Sequence, residues 1–104
     1  MAQDDTLTGV VLDEVALTLE DLARACAVES RWVVERVEAG LLGSASQPSM
    51  EWRFVSADLA RARRLAALER DFEANQELAA LVVDLIEEVG RLRGRLKAAG
   101  LAAD

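Results

Sequence analysis

The chain has no histidine and a single cysteine, Cys26, among its 104 residues. Without a second thiol it closes no internal disulfide, and without histidine it assembles no Cys/His metal cluster. The commonest general base is missing too, and no convergent polar constellation replaces it, so neither catalysis nor a cofactor is expected. No apolar run approaches the ~20 residues of a membrane span, and no signal peptide precedes the first helix, which points to a cytoplasmic protein. Cys26 falls on the apolar face of a predicted helix. There a thiol packs as a small hydrophobe; a reactive thiol is the alternative.

Basic charge is scarce where it would matter most for nucleic acid. The formal charge is −7, with 52% hydrophobic residues, the balance of a folded acidic domain. Residues 1–43 hold nine acids against three arginines, residues 44–75 five of each, and residues 76–104 five acids against four bases. The excess acid therefore sits in the first part of the chain, which disfavours a phosphate backbone as partner.

That first part contains two short helical patterns. Thr18 with Asp21 has the spacing of a capping box, and Leu17 and Leu22 have that of a hydrophobic staple. Leu19, Leu22, Ala23 and Cys26 then share one helical face. Ala27 to Glu29 make a turn, Ser30 is read as the second N-cap, and Val33, Val34 and Val37 form a second apolar stripe. Gly40 stands where a helix ends in a left-handed residue. Two such helices across a tight turn predict a helix-turn-helix.

Two flanking segments, Val10 to Leu17 and Glu51 to Val55, have strand character and predict a small two-stranded wing with residues 43–50 as its tip. Ser56 is read as the cap of a third helix reaching about Asp71, with Asp58 in its first turn. Arg61, Arg63, Arg64 and Arg70 lie along this helix, either as a phosphate-binding stripe or as a solvated face. A final helix from about Asn75 to Ala98 spaces Leu78, Val82, Leu85, Val89, Leu92 and Leu96 in steps of four and three, a heptad seam. Gly90 and Gly94 weaken it by about 1 kcal/mol each relative to alanine. The seam either packs back on its own domain or pairs antiparallel with a second copy, and the homodimer is the expectation. Residues 1–74 then form a winged helix-turn-helix and residues 75–104 a dimerisation helix and tail, one compact, mainly α unit.

This order of elements is similar to MerR-type winged helix proteins and, over residues 7–98, resembles the CbpM-type chaperone modulators. The likeness is carried by Leu19 to Ala23, Val33 to Leu42, Trp52 with Phe54, Arg64-Leu65, Leu68 to Asn75, Leu81 to Leu85 and Glu87 to Leu92. DNA-binding MerR regulators usually carry an arginine and an aromatic where this chain has Val34 and Glu35. Gln76, Glu77 and Leu78 stand where the modulators often have Leu-Ala-Gly.

The resemblance implies a small dimer that binds the J-domain of a CbpA-type (DnaJ-like) co-chaperone and blocks its work with Hsp70. The other reading is a MerR-like DNA-binding transcriptional regulator lacking an effector domain, for which weak DNA binding at most is expected. J-domains of this kind carry a basic helix, matching the acidic second helix here, where Glu29, Glu35 and Glu38 face Arg31 and Arg36. At about 100° per residue Trp32 falls opposite Val33, Val34 and Val37. It is either an exposed interface anchor or a ring folded onto Trp52 or Phe54. The expected partner face is Glu29, Arg31, Trp32, Glu35 and Glu38.

Overall fold

The computed structural model describes residues 16–44 and 47–100. Within them the chain forms four α-helices: α1 (Leu19–Cys26), α2 (Ser30–Glu38), α3 (Ser56–Phe72) and α4 (Gln76–Ala98). The cap of α1 is the expected capping box. Asp21 N–H donates to the Thr18 hydroxyl at 3.1 Å, and Thr18 N–H donates to the Asp21 carboxylate at 3.2 Å. The backbone bond from Thr18, then that residue's hydroxyl and Arg24, hold the Asp21 carboxyl below its ordinary pKa.

Two caps differ from expectation by one residue. Glu29, not Ser30, is the N-cap of α2, and its side chain makes no capping bond. Val55, not Ser56, is the N-cap of α3, where its N–H donates to Asp58 at 3.0 Å. Asp58 thus makes the half of a capping box that satisfies the cap residue's own N–H, while α2 has no acid in its first turn. Gly40 is left-handed at φ 79°, as the spacing predicted. Gly43 is left-handed as well (φ 58°), and a Cβ there would come within 3.0 Å of the Phe54 ring.

The two-stranded wing is not seen among the described residues. Val10 to Val15 lie outside them, and Ser49–Glu51 is a 3₁₀ turn rather than the start of a strand. What survives is one antiparallel bridge, Leu17 with Phe54, closed by N–H···O contacts of 2.7 and 2.9 Å. It ties the lead-in of α1 to that of α3. Trp52 and Phe54 are buried instead of lying on a sheet, edge to face with centroids 6.3 Å apart. The Trp52 indole N–H donates to the Gln47 carbonyl at 2.8 Å, which closes the loop over the core.

The core has two parts. The larger joins Leu22, Cys26, Val33, Val37, Leu42, Trp52, Phe54 and Ala62, so α1, α2 and the start of α3 share it. The smaller joins Leu65 of α3 with Ala79, Ala80 and Val83 of α4. Cys26 is buried, and burial pushes its thiol pKa up against the opposing pull of Arg63, which fits the packing role. No helix among the described residues is long and apolar enough to cross a membrane.

Candidate partner-binding surface

The sequence-predicted partner face lies on α2. Glu29, Arg31, Glu35 and Glu38 are exposed there. Trp32 is not opposite the core; it is half-buried and packs between the two core clusters. Its Nε1–H donates to Glu69 of α3 at 2.9 Å. Arg36 stacks over the same ring at 4.5 Å from its centroid. Arg36 also grips Glu69 in two-pronged fashion, Nε to Oε2 at 3.1 Å and Nη2 to Oε1 at 2.7 Å. A third contact runs from Nη1 to Glu35 at 3.0 Å.

The knot changes the charge seen from outside. The Arg36 side chain is only 11% exposed and its partner Glu69 16%. The outward face of α2 therefore shows Glu29 and Glu38 against Arg31, with Glu35 exposed but paired to the largely buried Arg36.

The arginines of α3 do not form one free stripe. Arg61 turns inward, donating from Nε to the Leu41 carbonyl at 2.7 Å and from Nη1 to Glu87 at 3.1 Å. Asp84 completes its ion pairs at 3.0 Å. Arg70 pairs with Asp71 at 3.1 Å, while Arg63 and Arg64 are exposed. Sequence reading missed both the Arg36–Glu69 and the Arg61 contacts because the partners are far apart along the chain.

The heptad seam does not pack back on its own domain. α4 faces α3 with Ala79, Ala80 and Val83, while Leu78, Leu85, Val89, Leu92 and Leu96 are exposed, Leu85 by 58%. Val82 sits at the margin. At about 100° per residue the seam points nearly away from α3. An open groove of about 420 Å³ runs along its edge, floored by Val82, Leu85, Ile86 and Val89 between Arg64 and Arg93. No group of three potential metal ligands occurs among the described residues.

The elements are those of a helix-turn-helix head with an appended helix whose apolar seam is open. Comparison with known proteins agrees. Residues 17–98 match the model of the MerR HTH family of regulatory proteins. The chaperone modulatory protein CbpM of Pseudomonas putida (strain W619) is 33% identical over 79 residues, covering 76% of this chain and 78% of that one. Its namesake in Pseudomonas entomophila (strain L48) is 32% identical over the same shares. That of Coxiella burnetii (strain Dugway 5J108-111) is 26% identical over 92 residues, 88% of this chain and 87% of the other. The chain belongs to the MerR helix-turn-helix family, in the branch of the CbpM-type proteins. No solved structure matches it. The families matched are those of regulators and modulators, not of enzymes.

Proposed function

We propose that this protein is a cytoplasmic chaperone modulator that binds the J-domain of a CbpA-type (DnaJ-like) co-chaperone and inhibits its work with Hsp70. The observation that carries this reading is the outward face of α2. In a DNA-binding helix-turn-helix the second helix enters the major groove and needs positive charge around it. Here Arg36 is turned into Glu69 and shared with Glu35, leaving Glu29 and Glu38 outward and unneutralised by it, with Arg31 the one exposed cation of α2. Such a face repels phosphate and attracts a basic helix, the chemistry that a J-domain offers to Hsp70. The partner face we assign is Glu29, Arg31, Glu35 and Glu38, with the accessible edge of Trp32.

The working form we propose is a homodimer, residues 1–74 forming the head and residues 75–104 the dimerisation element. Leu78, Val82, Leu85, Val89, Leu92 and Leu96 would meet the same residues of a second copy. Charge favours the antiparallel arrangement. Residues 76–90 carry Glu77, Asp84, Glu87 and Glu88, and residues 91–98 carry Arg91, Arg93, Arg95 and Lys97. Antiparallel pairing sets acidic half against basic half at both ends, whereas parallel pairing sets like against like.

The test is capture of an isolated CbpA-type J-domain by the immobilised protein, with Hsp70 ATPase stimulation as the second readout. Capture together with suppressed stimulation is expected. No capture at micromolar concentrations and low salt would refute the proposal.

A further inference from the structure

We infer that Phe72, at the C-terminal end of α3, is the apolar anchor of a docking surface for a basic helix; this rests on the J-domain reading and names where that helix sits. The chain has four aromatic rings. Trp52 and Phe54 are buried, and Trp32 is half-buried and bonded to Glu69. Phe72 alone stands open, 74% exposed. It follows Leu68 by four residues and Glu69 by three, so it lies one helical turn beyond the Trp32–Arg36–Glu69 knot, on neighbouring positions of the same helix. The row that includes Leu65 and Leu68 is covered from within the chain, and Phe72 prolongs it into solvent.

The rim around the ring is acidic. Glu73 follows directly, in the left-handed conformation (φ 53°) that turns the chain out of α3, and it is exposed. Glu77 in the first turn of α4 is exposed as well, whereas Glu35 is exposed but paired with Arg36. Asp71 is paired with Arg70. An aromatic ring inside a net acidic rim fits a partner that brings a small apolar patch on a positively charged helix, which is the arrangement of an interface centre and its surround. A second copy is the competing occupant, which light scattering on Phe72→Ala separates from a J-domain helix.

The experiment titrates wild type, Phe72→Ala and Glu73→Lys against the isolated J-domain of a CbpA-type co-chaperone, with light scattering and thermal unfolding run on each. Phe72→Ala is expected to raise Kd by at least ~30-fold. Glu73→Lys is expected to slow association and flatten its salt dependence. Both variants keep wild-type mass and melting temperature. Wild-type affinity in Phe72→Ala overturns the anchor while leaving the J-domain reading intact. A shift of Phe72→Ala to monomer assigns the ring to a contact between copies and also overturns it. A wild type that does not bind the J-domain removes the proposed function and the anchor with it.

Discussion

Glu69 accepts three hydrogen bonds from two residues of another helix: one from the indole of Trp32 and two from Arg36. Its carboxylate is thereby satisfied away from solvent, and the Arg36 guanidinium is held flat on the Trp32 ring. A charge-assisted pair of this kind is costly to break from one side, because the remaining ion is left poorly solvated. Trp32→Phe keeps the ring and loses one donor, so it should cost about 1 kcal/mol of unfolding free energy. Glu69→Ala strands Arg36 and should cost about 2–3 kcal/mol. Chemical denaturation measures both, and the double variant should fall short of the sum, since the two residues share one network. Additive losses would show that the indole and guanidinium act independently. Trp32 explains why the wheel misplaced it: a wheel grants α2 one buried side, whereas α2 has two, one against α1 and one against Glu69 of α3.

At the level of elements, α4 has two faces with different duties. Ala79, Ala80 and Val83 close against α3, and the Leu/Val seam remains open. Leu85→Asp and Leu92→Asp alter only positions that are exposed in the single chain, so each should give a folded monomer by light scattering and circular dichroism. Val83→Asp, at a fully buried position, should unfold the protein instead. Dimer mass retained in both seam variants would locate any association elsewhere. Elements written in local chemistry were legible from the sequence. The Thr18–Asp21 box fixed the start of α1, and the heptad spacing drew the range of α4 to within a residue. The wing was over-read: strand-forming composition alone does not secure pairing between segments far apart in the chain, and among the described residues the lead-ins supply only the Leu17–Phe54 bridge. The α2 face was legible in composition, yet the withdrawal of Arg36 from it depends on Glu69, 33 residues away.

For the molecule as a whole, net charge and its placement decide which polymers it meets. With Glu29 and Glu38 outward on α2 and −7 overall, duplex DNA should bind weakly and without sequence preference at physiological ionic strength. Sub-micromolar, sequence-selective binding in an anisotropy titration would restore the transcriptional regulator. Geometry at this scale hangs on Arg61. One guanidinium takes the Leu41 carbonyl at the end of the helix-turn-helix, and Asp84 and Glu87 midway along α4. It is a pivot pin. Between the pin at Asp84 and Glu87 and the end of α4 at Ala98, the helix makes an arm of about 20 Å at ~1.5 Å per residue. A tilt of about 10° at the pin would therefore swing the far end through about 3 Å. Anything that loosens or resets that pin would change the distance between the two heads of the proposed dimer, and with it the gauge of whatever they span.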